Sequence, residues 1–432
     1  MAVRFGTDGI RGRVDEEVTL ELSYQLGWAV ARVLRATTYV GYDTRESSPA
    51  LAAAVLAGLR DGGATGVHLG FFTTPGVAYV AQSRGGAGVV VSASHNPYFD
   101  NGLKVLGIGG AKLERARELE LEVALSSAPR PPSLDFTLAA IDADAETSYV
   151  ARLRELVSAD FSSLRLVVDC AHGAASHVAP ELFSLTGADV TILHASPDGL
   201  NINFEAGSTD VARLVACVRE TGADLGLALD GDADRLIAVD HTGQVRNGDD
   251  LMVLFASDRM VQGTLGGGVA LTTMSNLGVR RALEDLGVDV VETDVGDRNV
   301  LVALEERDWL LGGEQSGHVI FRDLASTGDG LLTGLVLCDL VCRRGALADQ
   351  ANAAWTRVPQ EMVNVAVADF DDDVVRAIFD EVRAPFAFRD ADVRLVVRPS
   401  GTEPVVRVMV ESLSQDFVTN FIDALGARFT LL

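Results

Sequence analysis

Three aspartates, Asp230, Asp232 and Asp234, stand at alternate positions in "DGDADR", directly after the apolar run "LGLAL". If the chain curls there, three carboxylates converge on one point, and anions so close repel one another unless a cation lies between them. Hard oxygen ligands select Mg2+ or Ca2+. A calcium-sensing EF-hand needs Gly at the sixth loop position and Glu at the twelfth, where this chain has Arg235 and His241. A second polar interruption is Ser94, in "VVVSASHNPYFDNGLKV" (residues 89–105). It ends an apolar strand and precedes the turn formers Asn96-Pro97 and Asp100-Asn101-Gly102. Such a serine projects its hydroxyl from the C-terminal edge of a sheet, where α/β proteins bind ligands.

Two further loops carry sugar-like and phosphate-like chemistry. In "GGEQSGH" (312–318) Glu314, Ser316 and His318 alternate between glycines. Alternation predicts an extended segment with the three side chains on one side, and a carboxylate, a hydroxyl and an imidazole together suit neighbouring sugar hydroxyls. In "RPSGTEPVVR" a guanidinium (Arg398), two hydroxyls (Ser400, Thr402) and amides exposed at Gly401 offer the donors a phosphate dianion accepts, with Arg407 returning on the next strand. Glu403 is a mild objection to that reading. Ser94 lacks a surrounding GxSxG, which weighs against a hydrolase triad. A phosphatase of the haloacid-dehalogenase type also places Asp-x-Asp after a strand, but it usually continues with Thr or Val where Asp234 stands.

These loops need rigid elements to hold them. Short strands rich in Val, Leu and Ala alternate with longer amphipathic stretches, the pattern of parallel sheets covered by helices. Three times a strand runs through a small-residue or polar turn into a helix: "YVGYDTRESSPALAAAVLAGL", "LVVDCAHGAASHVAPELF" and "ALTTMSNLGVRRALEDL". The expected fold class is α/β: three consecutive related α/β domains with mixed, mainly parallel sheets, then a small C-terminal α+β domain. The boundaries expected are 1–149, 150–244, 245–361 and 362–432, with "SSAPRPPSLDF" (126–136) a linker or surface excursion.

The net charge of −25 repels nucleic acid and anionic membrane. Lys104 and Lys112 are the only two lysines, so attraction for an anionic substrate must come from a metal ion or clustered arginines. No apolar run approaches the ~18 residues of a membrane span, and the N-terminus has no apolar signal core, so a cytoplasmic protein is expected. The four cysteines show no CxxC spacing and read as small core residues.

Taken in order, "FGTDGIRG", "SASHNPYFDNGLK", "GLNINFEAGSTD", "DGDADR", "VGDRNV", "GGEQSGHVI", "TGDGLLTGL" and "RPSGTEPVVRVMVE" resemble the α-D-phosphohexomutase family, most of all its bacterial phosphoglucosamine mutase branch. The resemblance covers almost the entire chain. It implies four domains around a central cleft, and interconversion of glucosamine 6-phosphate and glucosamine 1-phosphate through a bisphosphorylated sugar, feeding UDP-N-acetylglucosamine and cell-wall precursors. It implies a phosphoserine at Ser94, Mg2+ held by Asp230, Asp232, Asp234 and a phosphoserine oxygen, and an acid–base role for Lys104. Arg11 and His95 would join the catalytic set. Arg235, Glu314, Ser316 and His318 would meet the sugar, and Arg398, Ser400, Gly401, Thr402 and Arg407 its phosphate. A homodimer is the implied assembly, with a hexosamine phosphate as the binding partner. The neighbouring specificities, phosphomannomutase or phosphoglucomutase, use the same four loops. A phosphosugar-binding regulator without turnover is disfavoured, because a pure binder needs no phosphorylatable serine beside a metal. Two departures from the branch are Ala233, where Gly is frequent, and "VRNGDD" in place of an acidic-Gly-Asp turn.

Overall fold

The computed structural model describes all residues except 1–4, 7–8, 158, 367–375, 377–379, 381–382, 385–392, 400–404 and 430–432. The first sheet contains β1 (Ile10–Arg13), β2 (Thr38–Tyr42), β3 (Gly66–Phe71), β4 (Ala87–Val91) and β5 (Asp100–Leu106), in the order β1-β5-β4-β2-β3. The second contains β6 (Arg165–Asp169), β7 (Asp189–Leu193), β8 (Leu225–Leu229), β9 (Leu236–Asp240) and β10 (Val245–Arg246), in the order β10-β9-β8-β6-β7. The third contains β11 (Val269–Thr272), β12 (Val290–Thr293), β13 (Leu311–Gly313) and β14 (Val319–Phe321), in the order β12-β11-β13-β14.

Each sheet repeats one plan. Its first long strand pairs in parallel with the next two, and a fourth strand turns back antiparallel on the third. The loop between the last parallel strand and that antiparallel strand is the same slot in all three. Ser94 fills it between β4 and β5, the aspartates between β8 and β9, and Glu314 to His318 between β13 and β14. The triplication visible in the strand–turn–helix stretches therefore extends to the loops that carry the chemistry.

Central strands are apolar on both faces because both faces are covered. In β4, Val90 packs into a core continuous through Leu227 of β8 and Leu271 of β11, while Val89 and Val91 pack into a separate core with Leu26 and Leu103. One apolar cluster thus joins the three sheets, which fixes their loops relative to one another. The last unit is different. Strands β15 (Gln360–Ala366), β16 (Val393–Pro399) and β17 (Val405–Ser412) form an antiparallel sheet, β15-β17-β16, with its own core of Val406, Val408, Val410, Val418 and Phe421. Polar groups tie it to the third sheet: Leu277 N donates to Glu411 Oε1 at 3.0 Å, and Arg394 pairs with Glu411 at 2.7 Å and Glu292 at 2.9 Å.

Cys170, Cys217 and Cys338 are buried, as small core residues should be, but Cys342 is exposed. It lies in the last turn of the helix Gly330–Arg344 beside Arg343 and Arg344, where the apolar face has already given way to solvent.

The buried junction between helices Asp144–Leu156 and Gly330–Arg344 carries a pH-dependent pair. Asp329 caps the second helix, accepting from Leu332 N at 3.0 Å, and also accepts from Tyr149 Oη at 2.7 Å. Burial pushes its pKa up to about 6 against the opposing hydrogen bonds from Leu332 and Tyr149. An acid raised on folding loses stability as pH climbs from its unfolded value through its folded one. Asp329→Asn keeps the cap, so relative to wild type it should gain stability between about pH 4 and pH 7, by about 3 kcal/mol at the top of that range. Urea unfolding at several pH values measures this, and a pH-independent difference would refute it.

Candidate active site

Ser94 lies in the loop three residues past the end of β4, in the left-handed region with φ 51°, and is buried. Its Oγ donates to Asp230 Oδ2 at 2.5 Å, and His95 Nδ1 lies 3.4 Å from the same oxygen. The strand-tip hydroxyl of the first sheet and the acidic loop of the second therefore meet.

Asp230, Asp232 and Asp234 are all buried, and each offers a carboxylate oxygen within 4.8 Å of the others. Lys104, on β5, spans two of them, with Nζ 2.6 Å from Asp232 Oδ2 and 3.4 Å from Asp234 Oδ2. Thr74 adds a second clamp on Asp232. Its Oγ1 donates to Oδ2 at 2.5 Å, and its backbone N donates to the Asp232 carbonyl at 3.0 Å. Asp232 Oδ1 and Asp234 Oδ1, by contrast, are buried and accept no hydrogen bond. Buried carboxylate oxygens without donors are costly, and a divalent cation among them would relieve both that cost and the mutual repulsion. The residues present fit a hard cation.

Electrostatics separates the titratable groups. Burial, then the Asp234 and Asp232 carboxylates, push Asp230 well above the usual carboxylate range. Burial also opposes ionisation of Asp234, but Lys104, His318 and Arg235 outweigh it and hold that carboxyl well below the usual range. Burial and the nearby Arg235 and Arg11 press His95 down to about 4, so its imidazole is neutral at pH 7. His318 moves the other way. Burial opposes its charge, yet Asp234, Asp297 and Glu314 push it up to about 9.

The "GGEQSGH" segment is not the extended strand that alternation predicts. It is a tight hairpin turn between β13 and β14, closed by Gly317 N to Glu314 O at 3.0 Å and Glu314 N to His318 O at 2.9 Å. The cause is Gly317, with φ 91°, where a Cβ would sit 2.2 Å from the Leu236 carbonyl oxygen. The turn sends the side chains to different neighbours. Glu314 Oε1 accepts from Gly296 N at 3.0 Å, His318 Nδ1 lies 3.7 Å from Asp234, and Ser316 Oγ is buried without a hydrogen bond. His318 and Arg235, whose Nε is 3.7 Å from Asp234, thus join the aspartate cluster directly.

Arg11 lies on β1 opposite Gly102 of β5, and its charge acts on His95. Arg398 and Arg407 face one another in register across β16 and β17. Ser400, Gly401 and Thr402 lie outside the described residues. The sequence reading missed Thr74, in "FFTTPGV", whose only local signal is a helix N-terminus. It also gave no role to Asp297 of "VGDRNV", which pairs with Lys112 and lies 4.0 Å from His318.

Descriptions of the phosphoglucomutase/phosphomannomutase α/β/α domains I, II and III match residues 2–129, 147–243 and 247–358, and that of the C-terminal domain matches residues 362–425. The chain is 46% identical to a phosphoglucosamine mutase of Saccharopolyspora erythraea, covering 96% of each chain. It is 42% identical to one of Marinobacter nauticus, covering 98% of this chain and 97% of the relative. A solved phosphoglucomutase/phosphomannomutase family protein of Burkholderia thailandensis superposes with a TM-score of 0.82 at 25% identity, covering 98% of both chains.

Proposed function

The chain belongs to the phosphoglucomutase/phosphomannomutase family, whose members are isomerases that move a phosphoryl group within a sugar, and from that premise we propose that it interconverts glucosamine 6-phosphate and glucosamine 1-phosphate. The observation that carries the chemistry is Ser94 Oγ, 2.5 Å from Asp230 inside a buried cluster of three aspartates. Phosphorylated Ser94 hands its phosphoryl group to the free hydroxyl of the bound sugar phosphate. The Ser94 oxygen–phosphorus bond breaks as the sugar oxygen–phosphorus bond forms, and the hydroxyl proton leaves to a base. The bisphosphorylated sugar then turns, and the phosphoryl group at its other end returns to Ser94.

Asp230, Asp232 and Asp234 hold Mg2+ in this reading, and that ion supplies charge neutralisation for the transferring phosphoryl group. Lys104, its ammonium shared between Asp232 and Asp234, is placed to exchange the proton of the sugar hydroxyl. His95, neutral at pH 7, orients the Ser94 hydroxyl, while cationic His318 and Arg235 keep Asp234 ionised. Arg11, Glu314 and Ser316 meet the sugar phosphate, and Arg398, Arg407 and the loop Ser400 to Thr402 hold its far phosphate. The phosphoserine domain is assigned to 1–149, the metal domain to 150–244, the sugar domain to 245–361 and the phosphate domain to 362–432. No helix among the described residues is long and apolar enough to cross a membrane. A cytoplasmic homodimer acting on a hexosamine phosphate is the assembly we assign.

The amino-sugar assignment is supported by the phosphoglucosamine mutases among the curated relatives. Side-by-side kcat/KM values for glucosamine, glucose and mannose phosphates test it. The amino sugar should be preferred by roughly tenfold or more. Equal or greater efficiency on glucose or mannose phosphate would move the chain to a neighbouring specificity.

A further inference from the structure

Ser94 is held by its backbone as firmly as by its side chain. Its N–H donates to Ser92 Oγ at 3.0 Å. Its carbonyl accepts from Arg45 Nη2 at 2.9 Å and from Asn203 Nδ2 at 2.8 Å. The same two side chains reach the Asn96 carbonyl, at 3.0 and 3.1 Å, and Arg45 Nη1 donates to the Pro97 carbonyl at 2.6 Å. Arg45 is fully buried, and Asp43, also fully buried, accepts from its Nε at 2.9 Å. Asp43 Oδ2 accepts from Ser92 Oγ as well, at 2.6 Å. One carboxylate thus organises the acceptor for the Ser94 N–H and the guanidinium that grips the Ser94 carbonyl.

Left-handed backbone is unfavourable for serine, and it persists only where the surroundings over-determine it. The planar five-donor guanidinium suits that task, reaching the Ser94, Asn96 and Pro97 carbonyl groups of one tight loop from one fixed position, as a lysine ammonium on a flexible stem does not. Asn203 approaches from the second sheet, the unit that carries the aspartates. Thr44 Oγ1 to His172 O at 2.5 Å and Glu46 N to Gly199 O at 3.0 Å close the same junction.

The need for such rigidity follows from the reaction proposed above, on which this inference rests. The sugar turns between two transfers, whereas the serine must present phosphorus at the same point both times. We propose that Arg45, anchored by Asp43, and Asn203 are positioning residues that lock the Ser94 peptide groups, so that outgoing and returning phosphoryl transfers share one geometry.

The test compares Arg45→Lys, which keeps the charge facing Asp43 but removes the fork, with Asn203→Gly, which removes the donors at a position with φ 59° that glycine adopts freely. Steady-state kinetics on the sugar phosphate are read beside the 31P spectrum of the phosphorylated protein without sugar. Both variants should lose about 10- to 100-fold in kcat, the scale of a small misplacement of reacting atoms, with KM changed by less than about twofold. The phosphoserine resonance should shift or broaden, and the Asn203→Gly melting temperature should stay near wild type. If Arg45→Lys fails to fold, Asn203→Gly decides alone. Unchanged kcat and an unchanged resonance in a phosphorylated variant overturn this inference only. A wild-type protein that turns over with no phosphoserine resonance overturns the carrier role of Ser94, and this inference with it.

Discussion

Ser94→Ala is expected to abolish mutase turnover, by at least about 10⁴-fold, because uncatalysed transfer from a phosphate monoester is among the slowest of biological reactions. The fold should survive. Alanine bears about the same strain at φ 51° as serine does, and the substitution removes one buried oxygen together with its bond to Asp230. A stability change of about 1 kcal/mol is the expected scale. Turnover assays and thermal melts check both halves, and intact-mass measurement should show the variant lighter by the phosphate as well as by the hydroxyl oxygen. A normal rate from this variant, or a stoichiometric phosphate on another residue of the wild-type protein, would displace Ser94 as the carrier.

Asp230→Asn should separate activity from stability. Without added metal the wild-type site confines three carboxylates, and Asp230 is the one whose ionisation is resisted by burial and by its two neighbours. Its folded pKa lies above its unfolded value, so ionising it subtracts stability as pH rises through that window. In chelator the variant should therefore melt above wild type, with the gap widening as pH rises above the ordinary carboxylate range and shrinking toward pH 4. Divalent cation should raise the wild-type melting temperature by mass action and leave the variant almost unmoved. Activity should fall by about 10³-fold, the loss of phosphoryl charge stabilisation. Full turnover in chelator, or a wild-type melting temperature indifferent to cation, would remove the metal from the account.

Much of the site was legible because its signals are local. A buried strand running into Ser94 and another into Asp230 put each reactive group at a sheet edge, whatever the sheet's partners turned out to be. The failure at 314–318 was also local in origin. Alternating polar residues imply extension, but the tight packing of Gly317 against Leu236 folds the segment back on itself. Thr74 was illegible for a different reason. Its contact with Asp232 spans 158 positions, and no short-range pattern distinguishes it from any helix-initiating threonine. Arg45 could be seen in "YDTRESS", but the three carbonyls it grips lie about fifty residues away.

The order of residues by itself determined the inventory: a strand-tip hydroxyl, three closely spaced acids, two lysines in a strongly acidic chain, and alternating strands and helices able to hold them apart in water. Only the tertiary structure decided how charge is distributed among them. Lys104 faces Asp232 because β5 lies beside β4 in one sheet while the aspartate loop of the next sheet reaches across to it. His95 and His318 begin from the same intrinsic pKa of 6.5, yet one falls to about 4 and the other rises to about 9. Burial and Coulomb interaction depend on distances through space, and a linear sequence does not contain those distances until the chain has packed.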